Sequence, residues 1–233
     1  GATPERANPA DSDARIAETL KSAGEAKDAL TIARLRVSAA NRILSFRLAR
    51  PATALLLGLA RDAELKMLTE SSQEAAKLLD DAAAALKAPG AVRPEEEKDA
   101  EQVQRIASVL RTFADAIHAA ADPPADRAQT RKTLSRLGIL LESDDAALSA
   151  SAALWYARLA RHEEDWDSAL KTLPAALSEP EPTLMPLAFF LRLERCRLGS
   201  LKGDYSAALA LLARIEDGCT SWFDENEVDP ARR

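Results

Sequence analysis

The strongest candidates for chemistry in this sequence are its two histidines and the acids that follow one of them. His162 stands in the run Arg161-His162-Glu163-Glu164-Asp165, where an imidazole beside carboxylates could bind a metal ion or transfer a proton. A zinc site needs several ligands at short spacings, and this run supplies a single histidine. We therefore interpret it as a solvated turn between helices. His118 follows Ile117 near a predicted helix end, where positive charge suits the helix dipole.

Motifs of nucleophilic and nucleotide chemistry do not occur in the sequence. It contains no Gly-x-Ser-x-Gly, no phosphate-binding loop and no Gly-x-Gly-x-x-Gly. The many acids show no spacing that marks a catalytic pair. We expect no catalytic residue, no cofactor and no bound metal, and hence a protein that is not an enzyme.

Arginines are concentrated between Thr31 and Arg61. The six members are Arg34, Arg36, Arg42, Arg47, Arg50 and Arg61, and the same stretch contains no Asp or Glu. Guanidinium groups form paired hydrogen bonds with carboxylate and phosphate, so these arginines could bind an anion or an acidic partner. The alternative is that they pair with acids elsewhere, such as those in residues 95–101, or keep a long helix soluble.

Four aromatic residues could form a recognition surface. Trp166 and Tyr205 occupy equivalent positions in a repeat described below, and we expect both to pack between helices. Trp155 and Tyr156 are adjacent and face different directions, so at least one should be partly exposed. The pair Trp222-Phe223 is expected to fold back onto the last helix.

Composition predicts an all-α protein. Among 233 residues, apolar types make up 47% and aromatic types 4%, and Ala, Leu, Arg and Glu are frequent, which favours helices. The net charge of −6 argues against general nucleic-acid binding. The longest apolar run, Ala52 to Ala60, is interrupted by Thr53 and Gly58 and is too short to cross a membrane. Two cysteines, Cys196 and Cys219, make no disulfide framework.

Apolar periodicity predicts two long helices that meet at Pro51. Their simplest arrangement is an antiparallel hairpin over residues 13–88, and the alternative is one continuous helix kinked at the proline. The stripes recur at alternating spacings of three and four: Leu30, Ala33, Val37, Ala40 and Leu44 in one helix, and Leu65, Leu68, Ser72, Ala75, Leu79, Ala82 and Leu86 in the other. Residues 89–94 contain two prolines and a glycine, which indicates a linker.

Six further helices are expected after the linker. The first, from Glu95, carries the stripe Val103, Ile106, Ala107, Leu110, Phe113, Ala114 and Ile117. The next begins at Ala125, expected to be exposed, and the third is capped near Asp145. The remaining three are expected at 166–177, 183–201 and 205–216, with Gly218 as the final cap.

The last helices repeat one another. Asp165-Trp166-Asp167-Ser168-Ala169-Leu170 recurs as Asp204-Tyr205-Ser206-Ala207-Ala208-Leu209, at an offset of 204 − 165 = 39 residues. Ala157 and Cys196 match at the same offset. Ala169 and Ala208 should lie where paired helices cross, because a small side chain permits close approach there.

These two segments resemble tetratricopeptide repeats, a family of helix–turn–helix units about 34 residues long. Small residues lie at the crossings, and Gly203-Asp204-Tyr205 matches the family's turn. The longer period and Arg192 and Arg195, at usually apolar positions, depart from the pattern. The resemblance covers about residues 148–218. It implies a right-handed array of antiparallel hairpins, here of about eight helices, whose first helices line a concave binding side.

The predicted organisation is a tether over residues 1–12, the hairpin over 13–88, the linker over 89–94 and the repeat region over 95–233. The function expected is binding of a protein or peptide through Tyr156, His162, Arg192 and Arg195; the alternative is polyanion binding through the arginines of 31–61, with nucleic acid ranked below protein. Because the chain begins Gly1-Ala2-Thr3-Pro4 without methionine, we expect an export signal or lipid anchor to have been removed, rather than excision from a longer protein.

Overall fold

The computed structural model describes residues 9–124, 126–173 and 185–213. Within these ranges the chain is all-helical, with ten α-helical segments and no strand. They are α1 (Pro9–Glu25), α2 (Ala29–Arg42), α3 (Ala49–Leu57), α4 (Asp62–Lys87), α5 (Glu97–Ala121), α6 (Arg127–Leu141), α7 (Ala146–His162), α8 (Trp166–Thr172), α9 (Met185–Leu201) and α10 (residues 205–213). The all-α prediction is confirmed, and helix α1 begins inside the predicted tether.

The chain divides into two compact units, residues 1–133 and 134–233. The sequence placed its main boundary at the linker 89–94 instead. That linker joins α4 to α5, which pack along one another within the first unit. Proline and glycine therefore mark a connection between two helices that pack together.

The prediction that two long helices meet at Pro51 is wrong. The chain first breaks after α1, where the Asp28 carboxylate accepts a hydrogen bond from the backbone N–H of Thr31 (2.7 Å) and caps α2. Pro51 lies in the first turn of α3, where a missing N–H costs no helical hydrogen bond. The reversal comes at Gly58, which ends α3 with a left-handed φ of 76°.

A π-helical turn over Ile43–Arg47 joins α2 to α3. The Leu48 N–H bonds to the Ile43 carbonyl (3.0 Å), five residues back, so the turn holds one more residue than an α-helical turn. Both Ile43 and Leu48 are fully buried. The wide turn thus keeps the apolar side of the segment directed at the core.

The apolar stripes of α4 and α5 form the core of the first unit. All stripe positions of α4 are buried except Leu65, which is half-buried. In α5, which packs on α4, most of the stripe is buried, but Leu110 and Phe113 are half-buried and Ile106 has 43% of its surface exposed. The periodicity therefore predicted the buried faces correctly and grouped Ile106 with them.

The second unit contains two similar helical pairs, α7–α8 and α9–α10. Helix α8 contacts both α7 and α9, and α7 contacts α9. The two turns match bond for bond at the repeat offset: the Asp165 N–H bonds to the Ala160 carbonyl, and the Asp204 N–H to the Gly199 carbonyl, both at 2.9 Å. The carboxylates of Asp165 and Asp204 then cap α8 and α10.

The helix crossings agree with the repeat. Ala169 and Ala208 are 0% and 5% exposed, as predicted. Against α10, the Cys196 thiol of α9 donates to the Ala208 carbonyl (3.5 Å), and burial raises the pKa of that thiol. Three predicted features lie outside the described residues: the exposure of Ala125, the cap at Gly218 and the packing of Trp222-Phe223.

Candidate binding groove and arginine cluster

A groove runs between α2 and α5 on the surface of the first unit. Both helices pack on α4, and α2 also contacts α5 along one side. The long-range pairs show that α2 runs antiparallel to α4: Arg36 bonds to the Asp81 carbonyl, and Arg47, further along α2's path, bonds to Glu74. Helix α5 returns antiparallel to α4 after a short linker, so α2 and α5 run parallel.

The groove has an apolar floor and polar edges, with a volume of about 410 Å³. Its lining residues are Arg34, Val37, Ser38 and Asn41 from α2 and Asp99, Gln102, Val103, Ile106 and Leu110 from α5. They recur on each helix at spacings of three and four, so each helix contributes one face. Exposed Ile106 shows that the apolar floor is open to solvent.

One ion pair closes one end of the groove. A guanidinium nitrogen of Arg34 bonds to the Asp99 carboxylate, and the two side chains are 50% and 57% exposed. An exposed pair of this kind contributes about 0–1 kcal/mol, so it positions the helix ends more than it stabilises them.

The arginine-rich stretch does not form one positive face. Arg34 pairs with Asp99, Arg36 bonds to the Asp81 carbonyl (3.0 Å), and Arg47 bonds to both Asp13 and Glu74. Arg34 and Arg47 therefore do pair with acids elsewhere in the first unit, which was the alternative to anion binding for this stretch.

The other three arginines of the stretch differ from one another. Arg50 is exposed in the first turn of α3, and Arg61 is exposed just before α4 begins. Arg42 is half-buried, and its buried Nε has no hydrogen-bond partner. The six arginines therefore differ in burial and in the groups that they contact.

The four residues predicted to bind a partner lie on α7 and α9. Tyr156 is half-buried, and desolvation followed by the charge of Asp165 raises its pKa. His162 ends α7; although the residue is exposed, desolvation of its ring, followed by the charges of Arg161 and Arg158, lowers its pKa. Arg192 and Arg195 are half-buried on α9, where each has an electrostatic or hydrogen-bonding partner.

Of the expectations for the four aromatic residues, one is confirmed and one is wrong. Trp155 is buried and Tyr156 half-buried, as adjacent residues on a helix should be. Trp166 is half-buried, but Tyr205 is 65% exposed, so the prediction that it packs between helices is wrong. Helix α9 follows α8 and contacts it, whereas no described helix follows α10 to cover the equivalent face.

A charged cluster lies inside the second unit between α7 and α9. The Glu194 carboxylate is 1% exposed and faces three guanidinium groups. Arg161 Nε bonds to one oxygen, and Arg197 Nη1 lies 3.2 Å from the other. Arg158 Nη1 is 3.9 Å from that second oxygen.

The sequence contained a signal for this cluster. Arg158 and Arg161 follow Leu154 at spacings of four and three, on the apolar stripe of α7, and Glu194 lies between Leu191 and Leu198 on that of α9. Charged residues at positions that should be buried are costly unless they are paired. Because Arg161 begins the run interpreted as a solvated turn, its place in a buried cluster was not predicted.

The described part of the chain holds no group of three or more His, Cys, Asp and Glu side chains that could bind a metal ion. None of the helices in the same ranges combines the length and hydropathy that crossing a bilayer requires.

Comparison of the chain with protein-family models, with curated proteins and with solved structures finds no match. The function of the protein must therefore be inferred from the groove and the cluster themselves.

Proposed function

We propose that this protein is a non-enzymatic, helical-repeat binding protein whose partner is another polypeptide. Its α2–α5 groove would hold apolar side chains of one partner segment. The observation that carries the proposal is an open apolar floor between two parallel helices, edged by polar groups. Helix faces of this kind accept the apolar ridge of a third helix.

The lining indicates which partner fits. Val37, Val103 and Ile106 present aliphatic surface, while Ser38, Asn41 and Gln102 supply uncharged hydrogen-bonding groups along the edges. An amphipathic helix with apolar residues at spacings of three and four would bury that surface. Such burial gains about 25 cal/mol per Å² of apolar area, against the cost of ordering the partner.

The helical pairs of the second unit support the same class of function. We propose that α7–α8 and α9–α10 are degenerate tetratricopeptide-type units in an array of antiparallel hairpins. The matched turns and the buried alanines at the crossings support this. Arrays of stacked hairpins present extended surfaces to polypeptides.

Selection of peptides from a random library tests the groove. Peptides enriched on the wild-type protein would be measured against Ile106→Asp, which places a charge on the floor at an exposed position, and against Met67→Asp. Met67, on α4, has a similar exposure (46% against 43%) and does not line the groove.

The proposal predicts peptides with helical apolar spacing whose affinity falls at least tenfold in Ile106→Asp and stays unchanged in Met67→Asp. Equal binding to all three proteins would show that the groove is not the binding surface. Failure to enrich any peptide would count against polypeptide binding itself.

A further inference from the structure

Arg158 of α7 is a buried cation with unused hydrogen-bonding capacity. It is 6% exposed, and its buried Nε and Nη1 atoms have no hydrogen-bond partner in the part of the chain that the structure describes. Its neighbouring carboxylate, Glu194, lies 3.9 Å from Nη1, beyond hydrogen-bonding distance. Buried polar groups are nearly always hydrogen-bonded, so two unpartnered nitrogens on one guanidinium require an explanation.

Both oxygens of the Glu194 carboxylate already bond to other arginines, so neither is within hydrogen-bonding distance of Arg158. Arg161 bonds to one of its oxygens and Arg197 to the other. Among the described ion pairs of this cluster, Arg158 and Arg161 carry two positive charges opposite this single carboxylate, so the cluster is short of negative charge at Glu194.

That shortage has an energetic cost. An ionised group in a protein interior is destabilising unless it is paired. Desolvation lowers the pKa of Arg158 to about 10, with Glu194 opposing the change and Arg161 and Arg197 adding to it. The guanidinium is still protonated near pH 7, and an anion brought next to it would remove the cost.

We propose that Arg158 and Arg161 bind a small oxyanion at the end of α7. The chemistry is that shared by inorganic phosphate and by a carboxylate, since either supplies acceptor oxygens and the missing negative charge. The approach would be from the side of Arg161, whose side chain is 21% exposed, and of exposed His162. This site is independent of the α2–α5 groove.

Tryptophan fluorescence provides the measurement. Trp155 is buried on α7, three residues before Arg158. The protein would be titrated with sodium phosphate and, separately, with sodium acetate, each replacing sodium chloride at constant ionic strength. We expect a saturable fluorescence change and an unfolding midpoint that rises with oxyanion concentration, because a ligand that binds only the folded state stabilises it.

Arg158→Met should abolish both responses. Methionine keeps an unbranched apolar chain in the buried space and removes the unpaired charge, so the variant should fold. The matched control is Arg105→Met, at an exposed arginine of α5, which should respond as the wild type does.

Arg161→Met gives a second, independent test. Removing Arg161 frees one oxygen of Glu194 for Arg158, so the cluster no longer lacks an anion and the apparent Kd should rise at least tenfold. A response to phosphate, acetate or both supports the site and identifies the preferred oxyanion. The proposal would be overturned if the fluorescence and the unfolding midpoint of the wild type were the same in phosphate, acetate and chloride. It would also be overturned if Arg158→Met and Arg161→Met both bound the oxyanion as the wild type does.

Discussion

The two units use opposite charges in different ways. In the first unit, ion pairs such as Arg34–Asp99 join neighbouring helices at the surface, and the floor between α2 and α5 stays apolar. In the second unit, the charge lies inside, where Glu194 is buried among three arginines. Exposed pairs join helices at little energetic cost, whereas the buried cluster makes the second unit depend on the one carboxylate that its arginines share.

The largest expected effect is the loss of the buried carboxylate. Glu194→Gln leaves three guanidinium groups facing an uncharged amide, and we expect the second unit to lose about 3–5 kcal/mol of stability. Since all three tryptophans, Trp155, Trp166 and Trp222, lie in residues 134–233, urea unfolding followed by tryptophan fluorescence reports on this unit.

The matched change in the first unit is Asp99→Asn, which breaks an exposed pair. It should lower the free energy of unfolding by at most about 1 kcal/mol, measured by urea unfolding followed by circular dichroism. If both variants lose equally little stability, the contrast between surface and buried charge does not hold.

Overpacking a helix crossing comes next. Ala208→Leu places a branched side chain where α10 meets Cys196 of α9, and should cost about 1–3 kcal/mol in the same urea experiment. Ala210→Leu, two residues along α10 at an exposed position, should change stability by less than about 0.5 kcal/mol. We expect Ala169→Leu to behave like Ala208→Leu; similar midpoints for all three variants would remove the argument for close crossings.

A smaller effect concerns the two equivalent turns. Glu164 has a positive φ of 62°, and Gly203, at the same repeat position, has one of 81°. A left-handed backbone costs a non-glycine residue about 1 kcal/mol, so Glu164→Gly should stabilise the second unit by about that amount.

In the opposite direction, Gly203→Ala should destabilise the turn, and only by strain, because a Cβ there meets no heavy atom within 4 Å. Thermal melts measure both changes. The comparison fails if Glu164→Gly lowers the melting temperature.

The smallest expected effect is on pH dependence. Desolvation first, then Arg161 and Arg158, lowers the pKa of His162, so the folded state binds the proton more weakly than the unfolded state does. The corresponding stability is present above the unfolded pKa of about 6.5 and is lost as the pH falls below it. His162→Gln should therefore lose less melting temperature than the wild type between about pH 7.5 and pH 5.5. If the melting temperatures of the two proteins change equally between these pH values, His162 is not the group responsible.

Local periodicity predicted the helices well, because apolar stripes and caps are short-range features. Asp145 caps α7 as expected, and the stripe of α4 from Leu68 to Leu86 is buried. Pro51 misled because a proline in a first helical turn and a proline at a break have the same local sequence signal. Gly58, with its left-handed backbone, carried the information about where the chain turns.

The candidate sites were harder to predict because they depend on which helices meet. The suggested pairing of arginines in 31–61 with acids in 95–101 placed α2 near α5, as the Arg34–Asp99 pair does, but neither helix alone indicates that a groove opens between them. Arg158 and Glu194 lie 194 − 158 = 36 residues apart in sequence. Only the apolar stripe on which each lies indicates that both are buried and could form one cluster.

The π-helical turn at Ile43–Arg47 has a consequence for how this chain tolerates changes in length. Each residue of an α-helix turns the chain by about 100°, so deleting one residue from α4 would rotate everything after it away from the core. The π-turn already holds one residue more than an α-turn needs. Removing Ser45, which is exposed, would convert the π-turn into an α-helical turn, so a one-residue deletion there shortens the chain while Leu48 keeps a backbone hydrogen-bond acceptor in the preceding turn.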